Sequence, residues 1–244
     1  MRSSTLVLVA ALLAAVVPPA SASASAASCR DERGKEVRRT SSLRIVARVT
    51  PATKAREALT TYYGCALPSG AVRRLGYTGG ADTGRTSAAP LEGRFAVIKV
   101  AGPFVLVRQF TQQNGAGEQT DTRVVIDVRS GAKREVWRFR YLESTLCDED
   151  FRGQPKGPYL PRPKQFVLGA NGVVAGVYAP VAGDKLADCF TPAGTALVLA
   201  SVPGRPSLRE LDRATAPEIP SRSLTLRGRT VGWTRSGERR SAAV

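Results

Sequence analysis

The chain has 244 residues, with 36 Lys+Arg against 20 Asp+Glu, a formal charge of +16 and no histidine. The length suits one domain of ordinary size or two small ones. The missing imidazole excludes Ser-His-Asp and Cys-His catalysis and removes the commonest transition-metal ligand.

The first element is not part of the fold. Met1-Arg2 opens with a positive charge, Leu6 to Val17 is an unbroken apolar run, and Pro18-Pro19 ends it. Ala20 to Ala27 then offers overlapping A-x-A cleavage sites. This order reads as a secretory signal peptide over 1–27, with a single all-β domain over 28–244. The apolar run is shorter than the roughly 20 residues that span a bilayer. Cleavage removes only Arg2 among charged residues and leaves a charge of +15. A soluble, exported protein is expected. Cys29 is not expected to be a lipid anchor, because Ala26 stands where a large aliphatic residue belongs.

The cysteines are Cys29, Cys65, Cys147 and Cys189. An even count in an oxidising compartment suggests two disulfides, with three possible connectivities. Pairing chain neighbours gives Cys29–Cys65 and Cys147–Cys189. There is no C-x-x-C, so no metal site is expected.

Pro51 to Tyr62 carries the best helical spacing, but it is short and reads as a loop or one helical turn. Elsewhere short Val/Ile/Leu/Phe runs alternate with Gly, Pro and Asn, the strand-and-turn signal. Four segments share one form, strand, small residue plus glycine, strand: Tyr63 to Leu75, Val124 to Val136, Ala187 to Leu199 and Val231 to Ala243. Their turn glycines are Gly70, Gly131, Gly194 and Gly237. Further hairpins fall at Arg94–Phe110, Gln165–Tyr178 and Ser223–Thr234, with Asn171-Gly172 and Arg227-Gly228 as tight turns. The expected loops are Thr78–Glu92, Gln113–Thr122, Glu143–Lys164 and Ala179–Lys185.

Antiparallel four-stranded units repeated at this length suit a β-propeller-like array of three to four units. Val124 to Gly131, three apolar residues, Asp127, then Ser130-Gly131, resembles the strand–turn of TolB-like and quinoprotein-like β-propellers, and the whole resembles secreted propeller-like proteins of bacteria. The resemblance implies that Asp127 shapes a hairpin between outer strands. It implies no activity. Closure stays open: either a unit around Leu43 to Val49 pairs with the C-terminal strands to close a ring, or the units form an open curved stack.

Several short motifs invite a chemical reading. Ser130-x-x-Lys133 spells a serine–lysine pair, but such a pair needs a helix start, and here a strand–turn–strand is expected. Asp82-Thr83-Gly84 spells the aspartic-protease triplet without a second copy. Asp148-Glu149-Asp150 lacks the spacing of a calcium loop. A carboxylate-dependent hydrolase or lyase would have to draw on Asp121, Asp148, Asp150 or Asp184. A structural, partner-docking domain is a further alternative.

The basic character points instead to an anionic partner, at the cell envelope or outside it rather than nucleic acid. If Lys133 to Leu142 is a strand, Trp137, Phe139 and Tyr141 share one face with Glu135, and Arg134, Arg138 and Arg140 share the other, exposed face with Val136. Arg73-Arg74 and Arg239-Arg240 stand at the same place after their turns. The leading expectation is a non-enzymatic binding module with these seven arginines as anion-binding candidates and no cofactor. The competing reading is that charge on outer strands only keeps sheet edges from pairing.

Overall fold

A computed structural model describes residues 29, 33–53, 58–67, 69–79, 91–113, 118–142, 163–179, 195–205 and 208–244. Among these residues there is no helix; the structure is all-β and antiparallel. The segment 1–27, Cys147, Cys189, the Asp82 and Asp148 motifs, Asp184 and Gly194 lie outside the described residues.

The first sheet is an eight-stranded meander: β1 (Lys35–Arg39), β2 (Leu43–Thr50), β3 (Leu59–Ala66), β4 (Ala71–Gly79), β5 (Leu91–Ala101), β6 (Phe104–Gln113), β7 (Glu118–Asp127) and β8 (Lys133–Leu142). A four-stranded sheet follows, made of β9 (Pro163–Leu168), β10 (Val174–Tyr178), β11 (Thr195–Ser201) and β12 (Arg209–Thr215). The last sheet has three strands, β13 (Thr225–Arg227), β14 (Thr230–Arg235) and β15 (Glu238–Ala243).

The long meander folds back on itself. Pairing between β4 and β5 shrinks to the one pair Gly79↔Gly93, so the first four strands can rotate over the next four. Leu43, Ile45, Ala66 and Leu75 then bury against Phe95, Val105, Val107, Val124, Ile126 and Val128. The Tyr62 and Phe95 rings lie 4.6 Å apart, and Gln109 Nε2 donates to Leu75 O at 3.2 Å.

A second core lies on the opposite face of β6–β8. Phe104, Leu106, Val125, Val136 and Trp137 meet Phe166, Val174, Tyr178, Leu197 and Leu199 of the four-stranded sheet. A third core lies on the other face of that sheet, where Val173, Ala175, Val177, Ala196, Val198 and Ala200 meet Ile219, Leu224, Val231 and Trp233. Strands β10 and β11 are thus buried on both faces and read as continuous apolar runs. None of the three cores joins β1–β4 to β13–β15. At one side of this stack β5 touches β9, and β9 touches β13.

Two hairpin turns show why their residues were needed. At the β7–β8 turn Gly131 has φ 81° and donates its N–H to Asp127 O at 2.7 Å. The Asp127 carboxylate accepts the Arg129 N–H at 3.0 Å, and Ser130 Oγ accepts the Ala132 N–H at 3.2 Å. Ser130 is therefore a turn residue, not a nucleophile beside a helix. Gly172, after β9, has φ 77°, and a Cβ there would sit 2.6 Å from the Phe104 ring. Only glycine permits both that backbone and that approach.

Cys29 and Cys65 form a disulfide with Cα atoms 5.5 Å apart. Arg44 Nη1 also holds Cys29 O at 2.8 Å.

Five expectations need correction. Leu59 to Tyr62 is strand, paired residue by residue with Thr50 to Ala47, not a loop or helical turn; Thr60, Thr61 and Tyr62 favour a pleated surface. The expected loop at Gln113–Thr122 ends early, because β7 already begins at Glu118, and Pro163 and Lys164 likewise belong to β9. Leu43 to Val49 pairs with β1 and β3, not with the C-terminal strands. The strand after Gly194 is β11, which lies between β10 and β12 rather than at an edge.

The fifth correction concerns β8, which spans Lys133–Leu142 as expected but does not alternate simply. Its register against β7 slips between Arg123 and Val124, with Trp137 opposite Arg123 and Glu135 opposite Val124. Val136 is the extra residue of this bulge, so Val136 and Trp137 are both buried while Glu135 is exposed. Arg134 is half-buried instead of lying on an exposed arginine face.

Candidate anion-binding surface

Arginine clusters on four strands, although inner strands such as β2, β6, β7 and β14 also carry cations. Strands β8, β12 and β15 are sheet edges, and β4 is unpaired on its far side except at Gly79. Each bears at least two arginines: Arg73 and Arg74 on β4, Arg134, Arg138 and Arg140 on β8, Arg209 and Arg213 on β12, Arg239 and Arg240 on β15. The central strands β10 and β11 bear no charged residue. Arginine on these edges and no charge on β10 and β11 suits unpaired edges and doubly buried strands.

These arginines divide by what they touch. Some clamp distant parts of the fold through backbone carbonyls, Arg73 across the folded meander and Arg134 and Arg209 from one sheet to the next. Arg73 Nη2 donates to Arg129 O at 3.3 Å, with its guanidinium over Gly131. Arg134 Nη2 donates to Gly172 O, and its Nε is buried without a partner; burial holds its pKa below the ordinary arginine value. Arg209 Nη1 donates to Ala243 O at 3.0 Å, joining β12 to the end of β15.

The remainder face solvent. Arg74 lies over the Tyr77 ring at 5.4 Å. Arg138 pairs with Glu135 at 2.7 Å, and Arg213 with Glu210 at 2.7 Å. That bond from Arg213, more than the small desolvation opposing it, holds Glu210 below the usual carboxylate range. Arg239 and Arg240 lie opposite Thr234 and Trp233 on β14, are exposed, and have no carboxylate partner among the described residues. Arg140 pairs with Thr120 on β7; its side chain lies outside the described set. The seven sequence candidates therefore sit on three edges rather than in one pocket, and at least two of them, Arg73 and Arg134, also serve as clamps.

Sequence reasoning missed Arg209 and Arg213, because the third segment was aligned on Gly194, one strand too early. It also placed Asp121 in a loop. Asp121 lies on β7, where it accepts two bonds from Arg108 and pairs with Arg123. Asp127 stands at the end of the same strand. Burial would raise its pKa, but the side-chain and backbone bonds and the charge of Arg129, with the Ser130 hydroxyl, hold it below the usual range. Among the described residues no three carboxylate or thiolate side chains converge to hold a metal ion.

Comparison with family models, with curated proteins and with solved structures found no match. What the fold and its surface define is a class by construction: an all-β protein of face-stacked antiparallel meanders with arginine-rich outer strands.

Proposed function

We propose that the chain is an exported, non-enzymatic, β-propeller-like module that binds an anionic polymer of the cell envelope or the extracellular medium through its outer strands. The observation that carries this reading is the recurrence of at least two arginines on β8, β12 and β15, the last strand of each sheet, and on the weakly paired β4. Forked guanidinium groups suit carboxylate, sulfate and phosphate oxygens, and a row of them matches a repeating polyanion. The contacts of β5 with β9 and of β9 with β13 support the propeller-like arrangement, with first strands inside and last strands outside. The signal-like N-terminus and the Cys29–Cys65 bond support export.

The test is retention of the protein on an immobilised sulfated polysaccharide. Retention at low salt and release at moderate salt are expected, since exposed charges are screened within about 10 Å at 0.1 M salt. R239E/R240E should elute markedly earlier. The same two-charge reversal at exposed Arg38 and Arg48, on β1 and β2, should shift elution much less. Flow-through at low salt, or equal shifts for the two pairs, overturns the reading.

A further inference from the structure

A cavity of about 320 Å³ opens where β5 meets β9. It is lined by Ile98 and Lys99 of β5, Arg123 of β7, and Lys164, Gln165 and Phe166 of β9. Three cations converge there from two sheets, and none of the described lining residues is a carboxylate. The volume sits at the small end of the range for ligand clefts, roughly 300–1,000 Å³.

The back wall is fixed. The Arg123 side chain is only 12% exposed; it pairs with Asp121 and stacks on the Trp137 ring at 4.9 Å. Burial lowers its pKa, and the bond and charge of Asp121 oppose that fall. Asp121 is shared with Arg108, so one carboxylate stands behind two guanidinium groups and the wall keeps a net positive charge. Gln165 is held as firmly: its Oε1 accepts the Leu224 N–H at 3.0 Å and its Nε2 donates to Leu224 O at 3.4 Å.

The front is adjustable. Lys99 and Lys164 are exposed, and neither has a carboxylate partner among the described residues. Two such ammonium groups near an arginine repel one another, and an anion between them removes the repulsion. The apolar part of the wall is Ile98 and Phe166, the latter edge-on to Tyr178 with ring centroids 5.8 Å apart.

We propose that this cleft binds a small organic anion, with its carboxylate or phosphate head between Lys99, Lys164 and Arg123 and a compact apolar body against Ile98 and Phe166. None of the outer-strand arginines is among its described lining residues. A polymer would have to thread between two sheets to reach it; a molecule the size of a substituted benzene ring fits within it.

Trp137 supplies the readout, since it stacks on Arg123. The protein is titrated with phenyl phosphate, benzoate, inorganic phosphate and benzyl alcohol, following tryptophan emission and heat. Saturable binding of phenyl phosphate or benzoate is expected, and the tighter of the two identifies the head group. Inorganic phosphate and benzyl alcohol, each lacking half of the ligand, should bind at least about tenfold more weakly, a difference of roughly 1.4 kcal/mol. K99M/K164M should lose at least about tenfold with an unchanged melting temperature, and R239E/R240E should bind as the parent does. The proposal is overturned by absence of saturable binding, by benzyl alcohol binding as well as the anions, or by unchanged affinity in K99M/K164M. Loss of polymer retention with intact binding of the small anion removes only the outer-strand function.

Discussion

The four-stranded sheet has two faces, and they are built differently. Towards β6–β8 it presents Phe166, Tyr178, Leu197 and Leu199; towards β13–β15 it presents Ala175, Val177, Ala196, Val198 and Ala200. Along β11 the sequence alternates small and large, Ala196, Leu197, Val198, Leu199, Ala200, and each size goes to its own side. The bulky face is closed by neutral and cationic bonds to carbonyls, Tyr178 Oη to Val136 O at 3.2 Å and Arg134 to Gly172 O. The small face lets a whole indole come close. Trp233 packs on it and donates Nε1–H to Asp212 at 2.7 Å, while Arg235 pairs with the same carboxylate at 2.9 Å. One sheet thus makes a thick apolar junction on one side and a thin junction with an ionic clasp on the other. The lesson is that strict period-two patterning by size, not polarity, can specify which neighbour each face accepts.

If the bulky face depends on volume, truncation there should give the largest effect. Leu199→Ala, at a site 4% exposed, should lose about 3 kcal/mol in urea unfolding through the cavity it leaves. If the small face depends on closeness, enlargement should harm it instead. Ala175→Leu, at a fully buried site, should cost about 2 kcal/mol by overpacking, whereas the same change on a tolerant surface would cost little. A tolerated Ala175→Leu would abolish the distinction between the faces. Tyr178→Phe keeps the volume and removes only the O–H bond to Val136 O, so about 1 kcal/mol should be lost. A loss as large as that of Leu199→Ala would mean that the polar bond, not bulk, holds the first junction.

The smallest effect lies outside both junctions and sharpens the contrast by its pH dependence. Asp127 is held below its ordinary value of 3.8 in the folded chain. Its stabilisation is therefore complete above about pH 4 and is lost as pH falls through the depressed folded value. Asp127→Asn should cost under about 1 kcal/mol at neutral pH and flatten the acid limb of the stability profile. Parallel acid limbs in parent and variant would show that the carboxylate adds nothing to the turn.

Much of this architecture was legible from local signals. The β5–β6, β7–β8, β9–β10, β13–β14 and β14–β15 hairpins each follow a glycine turn between apolar runs, and Gly131 and Gly172 do have positive φ. What local signals could not carry was register. The bulge at Val136 depends on where β8 meets β7, and nothing within Lys133–Leu142 marks it. Arg73 and Arg134 read as surface charges because their acceptors, Arg129 O and Gly172 O, are backbone atoms of turns far away in the chain. The cleft was invisible because Lys99 and Arg123 belong to one sheet and Lys164 to the next, which only stacking brings together.

The meander has a consequence for how the chain is made. Every pairing among the described strands joins neighbours in sequence, so contact order is low for an all-β protein and each sheet can close before the next has emerged. The one disulfide described lies wholly within the first sheet, spanning 36 residues. It can lock that sheet while the remainder of the chain is still unfolded, removing roughly 4 kcal/mol of loop-closure freedom from the unfolded ensemble. The molecule is suited to vectorial assembly, with the oxidised first sheet as the template on which the later ones condense.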